Sequence, residues 1–199
     1  QDQLEHTLLP IGDFEKEKVR EMAKELGLVV HNKPDSQEIC FVKDNDYANY
    51  VKRHSNKRIK EGNFVDTKGN VLGKHKGIIY YTIGQRKGLG IAFGKPMFVL
   101  DINPKTNEVI LGSNDDLFNR ELIAKDVNLI TIDKIREPIR VEAKIRYSAK
   151  PSPATVYNNG DDSVKIVFDE PQRAITKGQS VVMYQGDKVV GGGIIDKSL

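Results

Sequence analysis

The chain has 199 residues, a formal net charge of +3, 38% hydrophobic residues and 30% charged residues. This composition fits a soluble globular protein and argues against wholesale disorder, and no apolar run approaches the ~20 residues needed to span a bilayer. The single Cys excludes an internal disulfide and points to a reducing compartment, while +3 is too small a total to establish nucleic-acid binding without a local basic patch.

Gln1-Asp2-Gln3 shows neither an initiator Met nor a signal-peptide pattern, so the expectation is of a cut chain whose upstream domain is missing. Asp13 is placed to N-cap a helix with Val19, Met22, Ala23 and Leu26 at helical spacing, and Gly27 supplies its stop. Such a helix covers one face of something larger. Lys33-Pro34-Asp35 breaks the pattern, and the short apolar run Ile39-Cys40-Phe41-Val42 follows. Asp46 caps a second helix, with Tyr47, Tyr50, Val51 and His54 along one side.

From residue 62 the pattern becomes β. Phe64-Val65 and Val71-Leu72 flank the turn Lys68-Gly69-Asn70, residues 77–83 are β-branched and aromatic, and 97–102 with 108–112 form a hairpin signal. The last 80 or so residues read as an all-β module. Ile139, Val141, Ala143, Ile145 and Tyr147 alternate with Arg140, Glu142, Lys144 and Arg146, which places the first set inward and the second toward solvent. Segments 153–157 and 164–168, then 180–184 and 188–195, pair across Gly-containing turns, and short evenly spaced strands suggest a small closed barrel.

Few constellations offer chemistry. The four histidines are scattered and no C-x-x-C or H-x-x-x-H spacing exists, so no zinc site is expected. The glycine-rich run Gly84 to Gly94 misses both the P-loop and the dinucleotide pattern. It reads equally as a turn-rich loop with positive φ or as a basic loop approaching a polyanion. Cys40 reads either as a small buried hydrophobe or as a reactive thiolate, the second requiring access and nearby positive charge such as His31, Lys33 and Lys43. Arg140, Lys144 and Arg146, with Tyr147 adjacent, are the physical candidate for RNA contact; a solvated barrel face is the alternative.

Three segments resemble the tRNA-specific 2-thiouridylases: Thr7-Leu8-Leu9-Pro10-Ile11-Gly12, Asp35-Ser36-Gln37-Glu38-Ile39-Cys40-Phe41 and Tyr81-Thr82-Ile83-Gly84-Gln85-Arg86-Lys87-Gly88-Leu89-Gly90. Lys144-Ile145-Arg146-Tyr147 and Gly178-Gln179-Ser180-Val181-Val182 are similar to that family's C-terminal barrel. Older descriptions call the family a methyltransferase, but nothing in this chain supports a methyl-donor site.

The resemblance implies a mainly β fold with a helical N-terminal segment. Residues 1–34 would be the tail of a missing ATP-pyrophosphatase domain, 35–116 a small central α+β domain and 117–199 an elongation-factor-like β-barrel. It implies 2-thiolation of the wobble uridine of tRNA, with ATP, and Mg beside it, bound outside this chain to activate the uridine. A cysteine persulfide would deliver the sulfur. The motif places that cysteine at Cys40, and tRNA contacts carry over to Arg146, Tyr147 and Gln179. The family's phosphate loop and second catalytic cysteine have no counterpart here, so any disulfide of Cys40 would need a cysteine outside these residues. Partners implied are tRNA and a sulfur-donor protein or relay, for a monomeric cytoplasmic protein with no membrane association. The fragment alone is expected to be inactive, and the alternative is a non-catalytic tRNA-binding barrel.

Overall fold

A computed structural model describes residues 2–34, 39, 41–42, 46–55, 58–160 and 162–199. The chain divides into two compact units, 1–54 and 55–199.

The first unit is helical: α1 (Asp2–Glu5), α2 (Lys16–Glu25) and α3 (Tyr47–His54). The cap of α2 corrects the sequence reading. Glu15, in extended conformation, is the N-cap and makes no side-chain capping bond; Asp13 lies two residues further upstream. The C-terminal stop is as expected. Gly27 adopts φ 69, its N–H donates to Lys24 O (3.0 Å) and the Leu28 N–H to Ala23 O (2.9 Å), the double bond of a Schellman ending. At α3, the Asn49 N–H donates to Asp46 Oδ1 at 3.0 Å, so Asp46 caps as expected. Only Val42 is buried among the described residues of this unit, and Leu8, Leu9, Leu26 and Val29 stand exposed.

The second unit holds a four-stranded mixed sheet and a closed six-stranded antiparallel barrel, so the fold is mainly β. The sheet comprises β1 (Gly62–Val65), β2 (Val71–His75), β3 (Phe98–Asn103) and β4 (Glu108–Gly112), in the order β2-β1-β4-β3. Both expected hairpins form. The β1–β2 turn is tied by Asp66, whose Oδ1 accepts the N–H groups of Lys68 (2.8 Å) and Asn70 (2.9 Å). Sequence patterning gave no sign of the parallel pairing of β1 with β4. Residues 77–83 are not a strand. Gly77, at φ 130, turns the chain, and Ile78–Tyr80 form one 3-10 turn. Aromatic and β-branched content is therefore satisfied here by packing under the sheet and not by a ladder.

Phe64 is the centre of the sheet's core, edge-on to His75 (5.4 Å), Tyr81 (5.2 Å) and Phe93 (6.1 Å). His75 is 2% exposed and fully bonded: Nδ1 accepts the Gly77 N–H at 3.0 Å and Nε2 donates to Asn107 O at 3.2 Å. Those roles require the neutral ring, and burial holds its pKa below the ordinary 6.5, with the Asn107 bond opposing. A second proton would sit on Nδ1 and meet the Gly77 N–H. The unfolded chain therefore binds this proton more readily, and stability is full above ~6.5 and falls as pH drops toward the lower folded value. The solvent-facing Asp66 and Asp116, stabilised as anions by Asn70 and Ser113, lose their contribution only as pH falls through and below the usual carboxylate range. Wild-type thermal midpoints should fall between pH 7 and 5, and His75→Gln should flatten that step while costing roughly 1–3 kcal/mol at pH 7. An unchanged slope in the variant would assign the step to another group.

The barrel runs β5 (Phe118–Leu129), β6 (Ile139–Lys144), β7 (Ser152–Asn158), β8 (Ser163–Arg173), β9 (Ser180–Gln185) and β10 (Lys188–Ser198), closing in the order β10-β5-β8-β7-β6-β9. Val141, Ala143 and Ile145 point inward, as the alternation predicts, against Leu122, Val156, Ile166, Phe168, Val181 and Met183. Tyr147 departs from that pattern: it is 92% exposed. The strand ends at Lys144 and the chain bends and turns through 145–148, so after Ile145 the alternation no longer governs where Tyr147 points. Among the described residues no helix is long and apolar enough to cross a membrane.

Candidate nucleic-acid interface

β6 and β9 run antiparallel with Lys144 opposite Val182. Just past the strand end, Arg146 and Tyr147 line the same groove as Gln179 and Ser180. Two segments more than thirty residues apart thereby share one end of the barrel wall. Alternation in β9 buries Val181 and Met183 and turns Ser180, Val182 and Tyr184 outward. The result is an open groove of ≈ 390 Å³ on the outer wall, lined by Lys144, Arg146, Tyr147, Gln179, Ser180, Val182 and Tyr184.

Each side chain is held by a local device. Arg146 is half-buried and its Nη2 donates to Arg173 O at 3.0 Å, which orients the guanidinium and leaves its other N–H groups for a ligand. Lys144 Nζ lies 5.5 Å from the Tyr147 ring centroid, a cation–π contact that steadies an otherwise exposed ring. Gln179 follows a turn in which Gly178 sits at φ 85; its own N–H bonds Thr176 O and its carbonyl accepts the Ile195 N–H at 2.8 Å. Its backbone is thus locked to β10 while its amide stays exposed. Val182 and Tyr184 give an apolar floor, Lys144 and Arg146 two cations, Tyr147 a ring and Gln179 an amide. This combination suits an RNA segment: phosphates on the cations, a base on the ring and a base edge or sugar on the amide.

The Arg146-Tyr147 pair and Gln179, predicted from two separate segments, share one groove. Lys144 joins them. Arg140 does not: its guanidinium grips Asp169 through Nη1 (2.7 Å) and Nη2 (2.6 Å) and also reaches Thr155 Oγ1 at 3.0 Å. The Arg140 bond holds the Asp169 carboxyl below the usual carboxylate range, so this cation is already neutralised. Ser180, Val182 and Tyr184 escaped sequence reasoning, because only the β6–β9 pairing reveals them. Period two within 180–184 would have found them, had the partner strand been known.

Cys40, with Asp35–Glu38 of its motif and Lys43, lies outside the described residues. Beside it in sequence, the Val42 N–H donates to Ile39 O at 2.9 Å. Phe41 lies 5.3 Å from Tyr50, which stacks on His54 at 4.1 Å. With Val42, Asp46, Asn49 and Arg53 these rings line a second groove of ≈ 550 Å³. His31 Nδ1 is engaged by Leu28 O at 2.9 Å. Among the described residues no group of three or more His, Cys, Asp or Glu could hold a metal ion. The glycine-rich run uses part of its backbone internally. The Gly84 N–H donates to Val99 O (2.7 Å) and the Gln85 N–H to Thr82 O (3.0 Å), so these two amides are already engaged.

Comparison with known proteins gives three family matches in chain order. A tRNA methyl transferase HUP domain matches residues 1–44, a tRNA methyl transferase PRC-barrel domain 48–113, and an aminomethyltransferase beta-barrel domain 119–195. Among curated relatives, the tRNA-specific 2-thiouridylase MnmA of Clostridioides difficile (strain 630) is 78% identical over 199 residues, 100% of this chain and 55% of the relative. The enzyme of the same name from Clostridium botulinum (strain Alaska E43 / Type E3) is 63% identical over 196 residues, 98% of this chain and 54% of its own length. That of Acetivibrio thermocellus is 62% identical over 195 residues, again 98% of this chain and 54% of the relative. The chain spans about half the length of the curated relatives it matches.

Proposed function

The chain belongs to the tRNA-specific 2-thiouridylases, and from that premise we propose that it docks tRNA in the β6–β9 groove and carries, at Cys40, the persulfide that thiolates the wobble uridine. The observation that carries the docking half is the convergence of Arg146, Tyr147 and Gln179, with Lys144, on one groove whose cations have no carboxylate partner among the described residues. Arg146 and Lys144 contact phosphates, Tyr147 stacks on an unpaired base and Gln179 reads a polar edge.

At Cys40 the thiolate takes the outer sulfur of a donor persulfide, releasing the donor as a thiol. The Cys40 persulfide then attacks C2 of the uridine, and O2 leaves with the AMP by which ATP bound outside these residues activated it. A second thiol outside these residues attacks the Cys40 sulfur, frees the transferred sulfur and leaves Cys40 in a disulfide. The aromatic groove of Phe41, Tyr50 and His54 beside it in sequence offers rings on which an unstacked base can rest. ATP and its Mg are assigned to a domain outside these residues, because the family's phosphate loop has no counterpart in this sequence. The division into a tail (1–34), a central domain (35–116) and the barrel (117–199) belongs to the same proposal, as do a cytoplasmic location and a monomeric state. These residues alone are proposed to bind tRNA and not to thiolate it.

The docking test is equilibrium binding of an unmodified tRNA transcript to Arg146→Ala, Tyr147→Ala and Gln179→Ala. Tyr147→Ala should weaken binding by about 1–3 kcal/mol through lost stacking, with little change in salt dependence. Arg146→Ala should weaken it and also make the salt dependence shallower, by somewhat under one unit of log K per log salt. Arg140→Ala, whose charge Asp169 already neutralises, should leave that slope unchanged. If Arg140→Ala and Arg146→Ala behaved alike, binding would be a diffuse charge effect and the groove would have no special role.

A further inference from the structure

The docking groove leaves one conspicuous basic segment unused. Residues 81–94 leave the sheet core at Tyr81 and return to it at Phe93, both packed edge-on against Phe64. Between them the backbone is fixed on both sides of Gln85. The Gly84 N–H donates to Val99 O at 2.7 Å, and Gln85 O accepts the Val99 N–H at 2.9 Å. The Gln85 side chain then closes the turn: Oε1 accepts the Thr82 N–H at 3.0 Å and Nε2 donates to Lys87 O at 2.9 Å. Arg86 and Lys87 sit within this stapled turn, exposed, and neither forms an ion pair among the described residues. Gly88 follows at φ 74 and Leu89 plugs back into the core. This is a rigid presentation of two cations, unlike a loose surface run.

The turn is also tied to the groove. A Cβ placed on Gly84 would lie 3.4 Å from Ala174 Cβ and 3.5 Å from Arg173 Nη1, ordinary contact distances, so the loop lies directly against the end of β8; what favours glycine here is its φ of 85. Arg173 Nε donates to Asn114 Oδ1 at 3.3 Å, its guanidinium lies over Phe98 at 5.7 Å, and its carbonyl accepts Arg146 Nη2. One residue thus touches the sheet, the loop and the groove's own arginine. On the barrel Arg140 is paired with Asp169, Lys165 with Glu121, and Lys125 and Lys177 share Asp196, whereas Arg86 and Lys87 face no such carboxylate among the described residues.

We propose that the Gln85-stapled turn is a second RNA contact, in which Arg86 and Lys87 bind backbone phosphates of the same tRNA that occupies the β6–β9 groove. The inference rests on the docking reading above and extends it from the barrel to the sheet. Rigid placement is what makes the contact productive, because the ordering entropy of two long side chains on a loose loop would offset much of their attraction. Gln85 is accordingly a positioning residue, acting through the turn it closes.

The experiment is tRNA-transcript binding by the 199-residue chain across a salt series, with thermal midpoints confirming the fold of each variant. Arg86→Ala/Lys87→Ala is expected to weaken binding about tenfold near 100 mM salt and to make the slope of log K against log salt shallower by roughly 1.5. Gln85→Ala, which keeps both charges, should weaken binding by a smaller factor at nearly unchanged slope. Combining Arg86→Ala/Lys87→Ala with Arg146→Ala should give losses that multiply, as for separate phosphates. If the loop pair leaves affinity and slope intact while Tyr147→Ala and Arg146→Ala remain defective, the loop is not a contact and the groove reading stands. If all of them bind like the wild type, both readings fall together. A Gln85→Ala protein that binds as the wild type overturns the positioning role.

Discussion

In the full-length protein, Cys40→Ser is expected to abolish 2-thiouridine formation and to leave tRNA affinity within about threefold, ≈ 0.6 kcal/mol. Cys40 is the only cysteine of this chain, so the substitution removes every thiol these residues supply. Serine is nearly isosteric but its oxygen does not carry a transferable sulfur, because the sulfane cap forms on a thiolate. The groove cations and Tyr147 are untouched, and docking by phosphate contact and stacking should persist. Nucleoside mass spectrometry of reacted tRNA, beside equilibrium binding, checks both halves. Thiolation surviving in the Ser variant would remove Cys40 from the chemistry and reduce the chain to a tRNA-binding barrel. Loss of binding together with activity would show instead that the segment around residue 40 serves docking.

How far the sequence foretold this arrangement depended on how local the signal was. Hairpins were legible because turn and strands are contiguous: Lys68-Gly69-Asn70 and residues 103–107 join strands that do pair. The inward set Val141, Ala143 and Ile145 was legible because period two holds along a continuous strand. It failed at Tyr147, where the strand had already ended. Non-local pairing was not legible at all. Nothing in residues 62–65 names β4 as a parallel partner, and barrel closure decides that β6 lies beside β9. The candidate site shows the same division. Arg146 beside Tyr147 was readable from charge and aromaticity in one segment. Gln179 drew no attention as an isolated polar residue after a glycine and entered only through family resemblance. Arg140 looked equivalent to Arg146 on its strand, and only Asp169, 29 residues away, shows its charge to be taken. For 77–83, aromatic and β-branched content said "apolar and buried" correctly and "strand" incorrectly, since burial and ladder formation draw on the same residues.

Phe64→Ala is the largest stability loss expected in residues 55–199, about 3–5 kcal/mol in urea unfolding, with Phe64→Leu costing roughly 1–1.5 kcal/mol. The ring is fully buried and meets three aromatic neighbours edge-on, each pair worth ~0.5–1.5 kcal/mol beyond its buried area. Truncation leaves a cavity that His75 cannot fill without giving up its bonds to Gly77 and Asn107. Against a typical domain stability of ~5–15 kcal/mol this is about a fifth or more of the total. It also has a reach beyond stability. Tyr81 and Phe93 are the two ends of the basic loop, and Phe64 is what both lean on, so removing the ring loosens the frame that holds Arg86 and Lys87. Measured where the variant remains folded, tRNA affinity should drop as it does for Gln85→Ala, without a change in the number of phosphates engaged. Phe64→Leu keeps most of the packing volume and should retain most of the affinity. A Phe64→Ala protein that loses less than about 1 kcal/mol would mean the sheet core closes over the gap, and that the loop is held by its Val99 and Gln85 bonds alone.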